Sequence, residues 1–243
     1  MKTGLVLEGG AYRGIFTTGV LKVLNKYGIS FDYIVGVSAG AGNIVDFVSG
    51  RDDISKSFIA YSEKHKSYGV KQLLKTGKLL NIDSLAKELV TLDNSEIAEA
   101  VMTSPIDIEM VCTNCLTGRA DYLFERKSLR RLIDIAKASC AGPVSSNEVM
   151  VGNVPYVDGS VSDAIPLKRA LVTKKCDKAV VVLTRKEGEI PTDYTKAALI
   201  IHMAYHKKYP QLESLLMRRL DEYNSQKEYL MEQEKAGHAC EIS

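Results

Sequence analysis

The chain has 243 residues, 45% of them hydrophobic and 26% charged, ordinary proportions for one globular α/β domain. Its 32 Lys and Arg face 30 Asp and Glu, a net charge of +2. That balance gives no reason to expect nucleic acid as a partner and no strong general pull toward an anionic membrane beyond a local patch. The five cysteines, an odd number, do not make a disulfide framework and imply free thiols in a reducing compartment.

The N-terminus has one positive charge, and its apolar run Gly4-Leu5-Val6-Leu7 stops at Glu8. It is too short for a signal peptide, and no apolar run approaches a membrane span. A cytoplasmic location is the expectation, with signal-less secretion left open. Gly4 to Leu7 predicts a buried strand ending at Glu8-Gly9-Gly10. From Gly14, the apolar residues Ile15, Val20, Leu21, Val23 and Leu24 recur at helical spacing until Gly28. Phe31 to Val37 predicts a second strand, cut off at Ser38-Ala39-Gly40, and a helix follows from about Gly42 to Ser49. This β-α-β-α opening predicts a three-layer α/β/α fold around a central, mostly parallel sheet.

Residues 54–102 are helical in tone. Ile106 to Leu123 predicts a hairpin at the sheet edge around Thr117-Gly118-Arg119, and Leu129 to Ala138 a helix. Val149 to Val157 is strand-like around a Gly-Asn turn, and Lys178 to Thr184 is the clearest buried strand. Tyr194 to Glu234 is helical with a break at Pro210. Without repeats or a linker, residues 1–243 count as a single domain.

Gly36-Val37-Ser38-Ala39-Gly40 fits G-x-S-x-G and sits between a strand and a helix, where that motif presents a serine hydroxyl. An incidental serine in a glycine turn fits the same pattern, so the surroundings decide. Upstream, Glu8-Gly9-Gly10-Ala11-Tyr12-Arg13-Gly14 also joins a strand to a helix, a place where backbone N–H groups bind an oxyanion or phosphate. A dinucleotide loop fits poorly, because Ala11 takes the middle glycine position and Asp32 falls at the start of the next strand. The histidines, His65, His202, His206 and His238, lie in charged helical or terminal segments, and none follows a predicted strand. A carboxylate must then serve the serine as base, and Asp158-Gly159-Ser160, 120 residues on, offers one.

In this order the motifs resemble those of the patatin-like phospholipases, most closely their compact bacterial branch. The likeness covers about residues 4 to 185 and extends weakly to Tyr209-Pro210. Ala138-Ser139-Cys140-Ala141-Gly142-Pro143 is similar to a small-residue segment of that family. The resemblance implies a phospholipase A-like acyl hydrolase with Ser38 as nucleophile and Asp158 as base. It implies an oxyanion hole from Gly9, Gly10, Ala11, Arg13 and Gly14, and an elbow shaped by Gly36 and Gly40. It calls for no cofactor and no metal, and for a lipid or acyl-ester partner with transient membrane-surface contact.

Two departures stand out. Ala11 replaces a third glycine and is tolerated without strain only at negative φ. The family also continues past its last helices into a short strand, whereas this chain stops just after Cys240-Glu241-Ile242, as a truncated version would.

Other features favour plainer readings. Cys112-Thr113-Asn114-Cys115 puts its thiols on opposite faces of a strand, as structural cysteines rather than a zinc site. His202 and His206 lack the glutamate of H-E-x-x-H and are expected to be surface histidines. The stripe Leu212, Leu215, Leu216, Leu220, Tyr223 and Leu230 is expected to pack on the domain rather than lean on lipid. A thioesterase or carboxylesterase on the same dyad, a silent lipid-binding protein, and nucleotide binding at Gly9 to Gly14 remain as alternatives.

Overall fold

The computed structural model describes residues 1–51, 95–186 and 188–243. Of the stretch expected to be helical, residues 54–94, with His65, lie outside the described residues. Strands β1 (Thr3–Leu7) and β2 (Tyr33–Val37) alternate with helices α1 (Gly14–Lys26) and α2 (Ala39–Ser49). Helix α3 (Ser95–Thr103) leads to β3 (Asp107–Asn114) and β4 (Arg119–Leu123), followed by α4 (Leu129–Ser139). Then come β5 (Val149–Val151), β6 (Val154–Asp158) and β7 (Lys178–Val182). Helices α5 (Ala198–Tyr205), α6 (Pro210–Met217) and α7 (Arg219–Lys235) precede β8 (Ala239–Ile242).

The sheet runs β5-β6-β3-β2-β1-β7-β8, with β4 also paired to β3. From β3 to β8 every neighbour is parallel, while the β3–β4, β3–β6 and β5–β6 pairs are antiparallel. The expected mostly parallel sheet is therefore present, and two details differ. The β3–β4 hairpin does not lie wholly at an edge, since β3 is interior and buried along most of its length. Residues 239–242 add a further strand parallel to β7, where the sequence suggested none.

Side chains alternate between the two faces of the sheet. Leu5, Leu7, Ile34, Ile108 and Met110 pack with Leu21 of α1, Ile44 of α2 and Ile135 of α4. Val6, Val35, Val37 and Val181 pack on the other face with Ile165, Leu167 and, from α7, Tyr223 and Leu230. Helices α5 and α6 form a satellite cluster around Ile201, Tyr205, Leu212 and Leu216. The leucine stripe therefore faces protein, as expected. The thiols of Cys112 and Cys115 fall in different clusters and are free.

Helix α1 departs from its apolar pattern. Ile15 and Val23 are exposed, and the buried face is Gly14, Thr17, Thr18, Leu21 and Leu24. Small residues there let α1 lie close to α2, and Asn43 of α2 donates to the Thr18 hydroxyl at 2.9 Å. On the second face, Glu109 of β3 accepts from Tyr33 (2.7 Å) and from Arg169 twice (2.8 and 2.7 Å), and pairs with Lys174 (2.9 Å). Burial opposes ionisation of Glu109, yet bonds from Arg169, Lys174 and Tyr33 hold its pKa below the ordinary value. A buried carboxylate survives because it is paired on every side.

Ile34 is fully buried at the centre of the first face. Ile34→Ala is expected to cost about 3 kcal/mol through lost burial and a residual cavity. At this chain length that lowers Tm by about 6–12 °C in thermal unfolding. A drop under about 2 °C would mean the core is not packed as described.

Candidate active site

The strand ends that carry the candidate residues meet because they share one edge of β3. Strand β4 occupies the other edge, pairing with Met110 to Asn114. Strand β2 pairs with Asp107 to Val111, and β6 pairs in the opposite direction with Cys112 to Asn114. Each overlaps the register of β4, and a strand edge holds one neighbour at a time. Strands β2 and β6 therefore lie nose to nose, with Val37 opposite Val111 and Asp158 opposite Cys112. The next residue after Val37 lands on Asp158, and the Ser38 Oγ donates to Asp158 Oδ2 at 2.7 Å.

The local turn is tight and strained. Ser38 has φ 53° and ψ −120°, and α2 begins at the following residue. Such a conformation in a non-glycine residue costs about 1–3 kcal/mol and persists only where the surroundings impose it. Gly36 and Gly40 make it fit. A Cβ on Gly36 would stand 2.5 Å from the Gly40 carbonyl oxygen, and one on Gly40 would strike the Leu7 carbonyl. The small-residue segment at the end of α4 holds both partners. Ser139 Oγ accepts from the Ser38 N–H at 2.9 Å, and the Ala141 carbonyl accepts from the Asp158 N–H at 2.8 Å.

Asp158 is buried. Its Oδ1 accepts from the Ser160 N–H at 2.8 Å, and its carbonyl from the Thr113 hydroxyl at 2.8 Å. Burial raises its pKa, opposed by hydrogen bonds from Ser38 and Ser160 and by the charge of Arg219. Arg219, from α7, is itself buried and donates to the Ser160 carbonyl (3.2 Å), the Ser160 hydroxyl (3.3 Å) and the Thr192 carbonyl (3.0 Å). Nearby, desolvation and the Asp158 charge push the Cys140 thiol up to about 12, with the Ser38 hydroxyl opposing. It stays protonated at neutral pH, so the candidate nucleophile here is the hydroxyl.

The glycine loop lies against this pair. A Cβ on Gly9 would stand 2.8 Å from that of Ser38. The loop closes into a turn in which the Arg13 N–H bonds to the Gly10 carbonyl at 3.0 Å. The N–H groups of Gly10 and Ala11 precede that first bond and have no acceptor inside the turn. Thr184 orients the loop by donating its hydroxyl to the Gly9 carbonyl at 2.6 Å. In a trans peptide the N–H points opposite the C=O, so the Gly10 N–H turns away from Thr184. Beneath the loop, the buried Glu8 carboxylate pairs with Arg185 and accepts from the Thr184 N–H (2.7 Å) and Tyr223 hydroxyl (3.2 Å).

Ala11 has φ 50°, so the condition for an unstrained loop is not met. The Arg13 side chain is exposed on the turn. Gly14 seats α1 on α2, since a Cβ there would stand 2.9 Å from that of Ala39. Of the described histidines, His202 and His206 bond to Glu213 and His238 to Gln233. Sequence reasoning gave no individual role at the site to Ser139, Thr184, Arg185, Arg219 or Tyr223. Their signal is polar character inside buried segments, which becomes specific only once the chain is folded.

Residues 5–171 match the sequence profile of the patatin-like phospholipases. A protein of Escherichia coli (strain K12), YjjU, described as uncharacterized, is 29% identical over 174 residues. These make up 70% of this chain and 48% of that protein, so the chain spans about half the length of the curated relative it matches. The crystal structure of VipD from Legionella pneumophila aligns with a TM-score of 0.46 at 16% identity. That alignment covers 85% of this chain and 54% of VipD.

Two outcomes follow from the geometry. Ala11→Gly releases a left-handed alanine worth about 1–2 kcal/mol and returns part of that as glycine entropy. Tm is expected to rise by about 1–4 °C, and a fall would contradict the strain. Arg219→Met keeps the bulk and removes the charge. The folded pKa of Asp158 lies above its unfolded value, so its ionisation costs stability as pH rises through the folded value. Losing Arg219 widens that gap. The Tm deficit of the variant is expected to be larger at about pH 8 than at about pH 4, near the unfolded aspartate value. A deficit independent of pH would place the role of Arg219 in packing alone.

Proposed function

This chain belongs to the patatin-like phospholipase family, and from that premise we propose that it cleaves fatty-acyl esters of phospholipids or lysophospholipids through a Ser38–Asp158 dyad. The observation that carries the reading is the 2.7 Å bond from a strained serine hydroxyl to a buried carboxylate whose pKa is raised. An aspartate in water is a weak base. Burial makes it a better one, because the neutral form it reaches on taking the proton is the form a dry site favours.

In the proposed reaction Ser38 Oγ attacks the ester carbonyl carbon as its proton passes to Asp158 Oδ2. The oxyanion is received by the N–H groups of Gly10 and Ala11, with the positive charge of Arg13 on the same turn. Collapse breaks the ester bond, and the leaving alcohol takes the proton from Asp158. Water then gives a proton to Asp158 and attacks the acyl-enzyme. The fatty acid departs and Ser38 regains its proton. This chemistry uses no metal or cofactor. Leu199, Ile200 and Met203 leave an apolar, exposed surface on α5. The turn that leads into α5 places Tyr194 5.6 Å from the guanidinium of Arg219. An exposed apolar face on the helix that this turn enters supports contact with a lipid surface.

The test is labelling by a fluorophosphonate, read by intact mass. Wild type is expected to take one label and Ser38→Ala none. Asp158→Asn is expected to react at least about 10²-fold more slowly. The labelling rate should rise with pH, through an inflection above the ordinary aspartate range, because only ionised Asp158 accepts the proton. A folded wild type that takes no label, or a Ser38→Ala variant that does, would sink the dyad. Fatty-acid release from phosphatidylcholine and lysophosphatidylcholine vesicles then tests the substrate class.

A further inference from the structure

We propose that His202, His206 and Glu213 form a binding site for a divalent transition metal of the zinc type, clamping α5 to α6. The two imidazoles lie one helical turn apart, His206 continuing α5 by its N–H bond to the His202 carbonyl at 3.0 Å. Their rings stand 4.2 Å apart at 33°. Both Nδ1 atoms point to the same carboxylate, at 2.8 Å from Glu213 Oε1 and 2.9 Å from Oε2. Among the described residues no other three His, Cys, Asp or Glu side chains bring ligand atoms so close together, within 4.8 Å of one another.

Two neutral imidazoles and a carboxylate are a donor set that zinc takes in open, three-ligand sites. Tetrahedral zinc with bonds of about 2.0–2.1 Å needs its ligand atoms roughly 3.3 Å apart. The three side chains therefore need only small rotations to exchange the bridging protons for a metal. Both histidines are exposed, which gives the metal an entry path and leaves the fourth position to water. The sequence favoured surface histidines because this H-x-x-x-H stretch lacks the glutamate of H-E-x-x-H; the third candidate ligand comes from α6, seven residues beyond His206.

The experiment uses the whole chain after chelator treatment, with zinc chloride as the probe. Calorimetry is expected to give one high-affinity equivalent. Tm is expected to rise by about 5–11 °C at a hundredfold excess over Kd, with no rise for magnesium, which prefers oxygen ligands. His206→Gln and Glu213→Gln should each lose most of the shift, while His238→Gln and Cys240→Ser keep it. Cobalt should give visible ligand-field bands without the charge-transfer band of a thiolate. The same shift in a His202→Gln/His206→Gln double variant, a thiolate band, or no shift in wild type would overturn the site. None of these readouts depends on acyl hydrolase activity.

Discussion

The edge of β3 is the constraint on which the candidate site depends. Because β4 takes one side of this strand, β2 and β6 must share the other, approaching from opposite directions. The meeting of Ser38 and Asp158 is thus a property of strand register before it is a property of either side chain. A shift by one residue would turn every side chain of the moving strand to the opposite face. The serine would then lose the carboxylate and the core would lose its valines together. Site geometry and fold stability are secured by the same pairing.

A second layer of order comes from buried polar groups that are paired rather than avoided. Glu8 under the glycine loop, Asp158 at the end of β6 and Glu109 in mid-sheet each sit in surroundings that penalise charge. Each is held by donors from distant parts of the chain. Such pairs add little net stability compared with apolar packing, but breaking one leaves an uncompensated charge and is costly. They select one arrangement of loops over its neighbours. The loop next to Ser38 needs that selectivity, since it carries a strained alanine.

Much of this was legible in the sequence because the signals are local. An apolar run that ends in glycine marks a strand entering a tight turn, and it marked both turns that flank Ser38. The Gly152-Asn153 turn between β5 and β6 and the break at Pro210 were readable for the same reason. What escaped is set by pairing across long separations. Nothing near Ile106 tells that β3 lies inside the sheet, since a strand buried on both sides and a hairpin arm share a short apolar pattern. Ser139, Thr184 and Arg219 look like ordinary polar residues until the loops they hold are in place. The backbone angle of Ala11 is likewise fixed by Thr184, Glu8 and the start of α1, not by the tripeptide around it.

Glu8 also sets an order of events during synthesis. Thr184, Arg185 and Tyr223, which hold its carboxylate, are made 176, 177 and 215 residues after it. Arg219, which holds the loop of Asp158, is equally late. The parallel pair of β1 and β2 is available early, but the charge beneath its loop has no counter-ion until Arg185 has been made. A ribosome-bound chain therefore carries the serine turn long before it carries a finished pocket.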